Sequence, residues 1–220
     1  MRRPPAGALA GLALLVAGLY LVACGPERGP GAAAVEGDFV ETFAAGQSGN
    51  WHTEADDLGL SAIEGEQLVI EVHAPNTLQY ASLREPLFSD FTLEVDASLL
   101  NGALENSFGV LFRQQGPVAF YRFEITGDGR FIVERHDPDG GWTRFLDDWQ
   151  GSAAILTGVG AVNRLQVAAE GGQLTFYVNG TQLHRLTDAT YAAGTIALDA
   201  GTFGQPPLRV SFDNLVVREP

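Results

Sequence analysis

Six charged residues lie inside segments that otherwise have the apolar character of core strands. Two stand in DFTLEVDASL (90–99) and four in SFGVLFRQQGPVAFYRFEITGDGRFIVERHD (107–137); they are Glu94, Asp96, Arg113, Arg122, Glu124 and Glu134. A planar guanidinium donates to hydroxyls or carboxylates as a rigid fork. A carboxylate accepts from hydroxyls and, when well placed, transfers protons. The pattern therefore indicates either a ligand site or the solvated face of an ordinary sheet.

Short alternating segments from Asp38 onward must position these side chains. They are separated by Gly, Asn and Asp, and none has the period of a long amphipathic helix. The clearest are DFVETF (38–43), QLVIEVH (67–73), DFTLEVDASL (90–99), FGVLFR (108–113), AFYRFEI (119–125), RFIVER (130–135), RLQVAA (164–169), QLTFYVNGTQLHRL (173–186), GTIALDA (194–200) and PLRVSFDNLVV (207–217). This spacing predicts an all-β sandwich or barrel, and the absence of a repeat predicts one domain over residues 38–220.

The hydrophobic pattern sets the register of the hairpin that carries Arg122. A three-residue loop at 127–129 places Phe123 opposite Val133, whereas a two-residue turn places Phe123 opposite Glu134. A slip of one residue moves every side chain to the other face, so the apolar match decides the register. We therefore predict the three-residue loop, with its last glycine left-handed and Arg122 opposite Glu134.

Alternation along four segments predicts where the charges point. If residues 90–99, 108–113, 119–125 and 130–135 form a meander, all six charged side chains lie on one exposed face. One solvated face is common in antiparallel sheets, and ion pairs across it contribute only about 0.2–1 kcal/mol each. The sequence leaves both readings of this face open.

The first 24 residues have the features of an export signal. Arg2 and Arg3 precede an apolar run at 6–23, and LVAC ends the segment at Cys24. This order predicts a secretory signal at residues 1–23. LVAC resembles the bacterial lipobox, which implies a diacylated Cys24 and a flexible tether at 24–37. The alternative is an uncleaved span, since 18 apolar residues lie near the lower limit for crossing a bilayer. We expect a lipid-anchored protein on the cell membrane or outer envelope, facing outside the cytoplasm.

Composition narrows the classes of function. The chain has 27 acidic and 13 basic residues, a net charge of −14, and one cysteine. All its basic residues are arginines, which excludes lysine Schiff-base chemistry. A lipidated Cys24 leaves no thiol for a disulfide or a nucleophile. The acidic balance argues against nucleic acid, whose binding depends on neutralising phosphates.

The order of the strand patterns resembles that of the concanavalin A-like lectin/glucanase fold. The resemblance covers residues 38–218 and depends on DFTLEVDASL, GVLFRQQGPVAFYRFEITGDGRF, NRLQVAAEGGQLTFYVNGTQL and VSFDNLVV. The layout of these segments is similar to that of laminin-G-like modules and of bacterial domains of the 3-keto-disaccharide-hydrolase type. It implies a jelly-roll sandwich of two antiparallel sheets, with a glycan site on the concave face of one sheet.

The resemblance also implies two possible enzymatic activities. Laminarinase-type relatives carry E-x-D-x-E or E-x-D-x-x-E, but Ser98 or Leu99 stands here where the third carboxylate is needed. Cleavage of a 3-keto-glycoside needs only a base and electrophilic support, which Glu124 or Glu134 with Arg122 would supply.

We expect a non-cleaving domain that binds carbohydrate or a surface polymer through the six charged residues, with Trp142 and Trp149 suited to stacking on sugar rings. The alternatives are glycoside or 3-keto-disaccharide hydrolysis and a structural module that docks another envelope protein. No cofactor is expected, apart from a structural calcium ion at Asp213-Asn214 as a minor alternative.

Overall fold

A computed structural model describes residues 37–44 and 50–220. The elements whose bounds lie wholly within these ranges are β-strands. The strands are β1 (Phe39–Glu41), β2 (Trp51–His52), β3 (Gly59–Glu64), β4 (Gln67–Val72), β5 (Leu78–Leu83), β6 (Phe91–Asn101), β7 (Ser107–Gln114), β8 (Phe120–Thr126), β9 (Arg130–His136), β10 (Trp142–Arg144), β11 (Gln150–Gly151), β12 (Val162–Glu170), β13 (Gln173–Val178), β14 (Thr181–Thr187), β15 (Thr195–Gly201) and β16 (Leu208–Arg218).

The strands form two antiparallel sheets of eight. Sheet A has the order β14-β13-β12-β6-β16-β4-β3, with β1 also paired to β16. Sheet B has the order β10-β9-β8-β7-β15-β5-β2, with β11 also paired to β9. The expected jelly-roll sandwich is confirmed.

Alternating residues of both sheets fill the space between them. Leu93, Val95 and Ala97 of β6 are fully buried, as are Val110 and Phe112 of β7. They belong to one continuous cluster of apolar side chains. A core of this kind is the main stabilising element of a domain that has no disulfide in its described part.

The predicted hairpin register is confirmed. Phe123 pairs with Val133 and Arg122 with Glu134, as the three-residue loop requires. Gly129 has a φ of 93°, which is the left-handed conformation expected at the end of the loop.

The predicted four-stranded meander is wrong in one strand. β7, β8 and β9 are consecutive neighbours in sheet B, but β6 lies in sheet A between β12 and β16. The chain changes sheets after β6, at Gly102, whose φ of 126° and close approach to the Pro207 carbonyl suit only glycine. Alternation shows which side of a strand is apolar, but not which of two facing sheets contains the strand.

The signal, Cys24 and the tether lie outside the described residues. No helix that could cross a bilayer occurs in residues 37–44 or 50–220.

Candidate functional site

The outer face of sheet B, which points away from the core, brings two carboxyl groups together. Asp199 of β15 pairs with Gly109 of β7, and Gly109 pairs with Glu124 of β8. Asp199 and Glu124 therefore stand on either side of a residue with no side chain. A Cβ at position 109 would overlap the Phe123 carbonyl oxygen, so this close approach requires glycine. We call Asp199 and Glu124 the carboxyl pair.

Both members of the carboxyl pair are removed from solvent. Each is 0% exposed. The pKa of Asp199 is raised well above its usual range. Burial is the largest cause, and the charge of the neighbouring Glu124 is the second. Ser107 Oγ donates to Glu124 Oε1 over 2.9 Å, whereas neither side-chain oxygen of Asp199 has a hydrogen-bond partner. The raised pKa favours a proton retained on Asp199, which gives this carboxyl a hydroxyl group able to donate.

Arg122 links the carboxyl pair to a third acid. It donates to Glu134 Oε2, and its Nε lies 3.3 Å from Glu124 Oε2 without forming a hydrogen bond. Arg144 Nε donates to the other oxygen of Glu134 over 3.0 Å from the exposed rim. Burial opposes the charge of Arg122, but the three surrounding acids outweigh it and raise the pKa of Arg122. We call Arg122, Glu124, Glu134, Arg144 and Asp199 the charged cluster.

Aromatic rings flank the charged cluster. The Arg122 guanidinium carbon lies 4.2 Å from the ring centroid of Trp142, which is a cation–π contact. His136 stacks on Phe120 and meets Trp142 edge-on, with ring centroids 5.3 Å and 4.5 Å apart. Trp142 is 41% exposed, so part of its surface remains accessible.

The same face also carries a small apolar cluster. Leu111, Phe120 and Ala197 are buried against one another, and Tyr80 packs beside them. A solvated face would carry exposed polar residues here. The structure therefore contradicts the expectation that the charged residues of sheet B lie on an exposed face.

Arg113 is placed differently from the prediction. Its φ of 48° interrupts the alternation of β7, and its side chain is 0% exposed. The guanidinium donates to the carbonyls of Ser89, Gly171 and Tyr191, at 2.7–3.1 Å. It connects three segments of chain and does not belong to the charged cluster.

Glu94 and Asp96 are also separated from the charged cluster, because β6 belongs to sheet A. Asp96 accepts from Arg164 at 2.8 and 3.1 Å and from Asn214 at 3.0 Å. Glu94 forms an ion pair with Arg218 at 3.4 Å. Of the six predicted residues, the structure brings together only Arg122, Glu124 and Glu134.

Asp199 is the main residue that sequence reasoning missed. A signal was present, since alternation in GTIALDA places Ile196, Leu198 and Ala200 inward and Asp199 outward. Ser107 and Arg144 gave no comparable signal, because polar residues at strand ends are common.

No group of three His, Cys, Asp or Glu side chains suited to a metal ion occurs in residues 37–44 and 50–220. At the calcium candidate, the Asn214 side chain turns its amide nitrogen, not its oxygen, toward Asp96.

The two-sheet fold and the charged outer face define a concanavalin A-like β-sandwich of the lectin/glucanase class. A family model described as 3-keto-alpha-glucoside-1,2-lyase-like domain matches residues 38–218, and the chain belongs to this family. No curated protein matches the sequence.

Solved structures of this fold include carbohydrate-binding and carbohydrate-cleaving proteins. The carbohydrate-binding module CBM66 from Bacillus subtilis has a TM-score of 0.60 and 16% identity, covering 77% of this chain and 96% of its own. Bacillus licheniformis beta-glucanase has a TM-score of 0.61 and 10% identity, covering 84% and 99%. A Bacillus subtilis protein of unknown function with a galectin-like fold has a TM-score of 0.62 and 10% identity, covering 82% and 94%. At these identities the likeness shows the fold alone.

Proposed function

We propose that the domain binds a saccharide on the outer face of sheet B and does not cleave it. One observation carries the proposal. In the described part of the chain, the buried side-chain atoms that lack a hydrogen-bond partner all belong to the charged cluster: Arg122 Nε, Glu124 Oε2 and both carboxyl oxygens of Asp199. Buried polar groups are nearly always paired, and each unpaired group costs about 1–3 kcal/mol.

Sugar hydroxyls match this unused capacity. A hydroxyl donates one hydrogen bond and accepts others, so a sugar that displaces the side chains covering these buried atoms can satisfy a carboxylate oxygen and the Arg122 Nε–H with the same group. Trp142 adds a ring beside the guanidinium, and rings of this kind present an apolar surface together with a polar edge. One solved structure of the same fold, CBM66, is a carbohydrate-binding module, which is compatible with this proposal.

Calorimetric titration of residues 38–220 tests the proposal. The panel contains trehalose, sucrose, maltose, cellobiose, laminaribiose and a levan oligosaccharide. Arg122→Ala should abolish binding, whereas Arg164→Ala should leave it unchanged, because Arg164 makes a similar ion pair on the outer face of sheet A. Arg144→Ala should also weaken binding, and because Arg144 is exposed this variant should not disturb the fold. Absence of binding to every glycan would contradict the proposal and favour a docking module.

A second candidate function is elimination on a 3-keto-α-glucoside, as the family description suggests. The observation in its favour is the carboxyl pair, since two neighbouring acids of which one, Asp199, has a raised pKa can act as base and acid. Glu124 would take the proton from C2, the electron pair would form the C1–C2 double bond, and the C1–O bond would break. Asp199 would give its proton to the leaving oxygen.

Release of p-nitrophenol from p-nitrophenyl 3-keto-α-glucoside tests this candidate. Turnover should be lost in Glu124→Gln and Asp199→Asn and kept in Glu94→Gln, whose residue lies in sheet A. No release by the wild-type domain would exclude this substrate class.

We also propose that Cys24 is lipidated and anchors the domain outside the cytoplasm, on the strength of the LVAC segment. Mass spectrometry of the mature protein tests this, because a retained Met1 would contradict it.

A further inference from the structure

A cleft opens between the edges of the two sheets. Its volume is 380 Å³, within the range of about 300–1,000 Å³ that ligand sites occupy. Gln150 and Gly151 of β11, in sheet B, line one side. Residues 181–184 of β14, the edge strand of sheet A, line the other side. We call this space the edge cleft.

A β-bulge in β14 turns the side chain of His184 into the edge cleft. Phe176 pairs with His184 and Tyr177 with Gln182, so Leu183 is an extra residue between the two pairs. Directly paired residues share a face of the sheet, and Phe176 is a core residue. His184 therefore points inward, at the edge of the sandwich. Burial lowers the pKa of His184, so its neutral imidazole offers one donor and one acceptor nitrogen.

The lining of the edge cleft is uncharged. Its apolar part is formed by Phe131, Leu146 and Leu183, and its polar part by hydroxyl, amide and imidazole groups that include Ser152 and Gln182. No aspartate, glutamate or arginine of the described residues lines it, although the chain has 27 acidic and 13 basic residues. Side chains that both donate and accept suit the hydroxyls of a neutral sugar, and the apolar part suits the carbon-bound hydrogens of its ring.

The edge cleft and the charged cluster share one rim. β10 and β11 both pair with the edge of β9 that faces away from β8, with Arg144 opposite Glu134 and Gln150 opposite Phe131. These two pairs are three residues apart on β9, which is about 10 Å along the strand. Gly151 has open space where a side chain would stand, so the rim is low beside Gln150. A chain of sugar units that lies against Arg144 can cross the rim there and enter the edge cleft.

We infer that the edge cleft is a subsite for the continuation of a neutral oligosaccharide whose first units occupy the charged cluster. The inference deepens the proposed function and rests on it. It specifies the ligand class as a chain of several neutral sugar units. A disaccharide held at the charged cluster leaves the edge cleft empty, whereas a longer chain fills it and adds contacts to His184 and Gln150.

Calorimetry with matched chain lengths tests the inference. Maltose, cellobiose and laminaribiose are compared with maltohexaose, cellohexaose and laminarihexaose. In the series that binds, the hexasaccharide should bind at least about tenfold more tightly than the disaccharide. His184→Ala and Gln150→Ala should remove this gain and leave disaccharide affinity unchanged, which also shows that both variants fold. Arg185→Ala is the matched control, because Arg185 follows His184 on β14 but pairs with Thr175 on the outer side of sheet A, and it should keep the gain.

NMR signals of the His184 ring provide a second readout, which a purely structural effect of the substitutions would not change. The hexasaccharide should shift these signals in the wild-type domain, and the disaccharide should not. Equal affinities for the two chain lengths, or a gain that both cleft variants keep, would overturn the inference. The proposed function would still stand in that case if Arg122→Ala loses disaccharide binding. If the wild-type domain binds no member of either set, the proposed function fails and the inference fails with it.

Discussion

Replacing Arg113 with alanine should test whether this residue is a structural connection or part of a ligand site. Its guanidinium donates to the carbonyls of Ser89, Gly171 and Tyr191 and lies 3.4 Å from Asp90. Truncation leaves these three acceptors without their donor and opens a cavity at a fully buried position.

The expected loss of stability follows from these contacts. Hydrogen bonds from a charged donor contribute about 1.5–3 kcal/mol each. The contact with Asp90 adds little, because the Asp90 side chain is 45% exposed and solvent screens the pair. Water can replace part of the loss, because the sites at Ser89 and Gly171 are only partly buried. We therefore expect Arg113→Ala to lower the free energy of unfolding by about 4 kcal/mol, within a typical total of about 5–15 kcal/mol.

Equilibrium unfolding in urea measures this difference. With an m-value of about 2 kcal/mol/M, the midpoint should fall by about 2 M. The matched control is Arg185→Ala, since Arg185 is exposed on β14 and its loss should change stability by less than about 0.5 kcal/mol. Equal midpoints for the two variants would refute the reasoning. Loss of glycan binding in an Arg113→Ala protein of unchanged stability would show that Arg113 belongs to the ligand site.

Three further predictions concern the two sheets and their rim. Gly109→Ala should lower the free energy of unfolding by about 1–3 kcal/mol, because the added Cβ would overlap the Phe123 backbone carbonyl. Gly151→Ala is the control, since the space around Gly151 is open. Equal melting temperatures for the two variants would contradict this prediction. Asp199→Asn should stabilise the domain at neutral pH, because ionising the buried acid costs about 1.4 kcal/mol for each unit by which its folded-state pKa exceeds the unfolded one. The gain should vanish as the pH falls to about 3.9, where the acid is protonated in both states, and a gain independent of pH would count against the raised pKa. Tyr121 should ionise near pH 12 in an ultraviolet titration, because burial and its hydrogen bond to Asp188 raise the pKa of Tyr121 to about 12, and Tyr121→Phe should remove this step.

Local features of the fold could be predicted from the sequence. The register of Phe123 against Val133 follows from hydrophobic matching within one hairpin, and the structure reproduces it. The same alternation correctly placed Arg122, Glu124 and Glu134 on one side of their strands.

The assignment of strands to sheets could not be predicted in the same way. β6 and β7 are consecutive in sequence with the same alternation, yet they lie in different sheets because the chain crosses the sandwich at Gly102. The predicted meander therefore placed Glu94 and Asp96 beside Arg122, whereas these two residues lie in sheet A. Asp199 was missed for the complementary reason, since it reaches the charged cluster through the pairing of β15 with β7, which are far apart in sequence.

The most direct test of the central claim is a backbone amide NMR titration of the domain with the tightest-binding member of the glycan panel. The proposed site predicts that the shifted resonances belong to β5, β15, β7, β8 and β9, centred on Arg122 and Asp199. Shifts centred on β6, β12 and β13, around Asp96 and Arg164, would place the ligand on sheet A and contradict the claim.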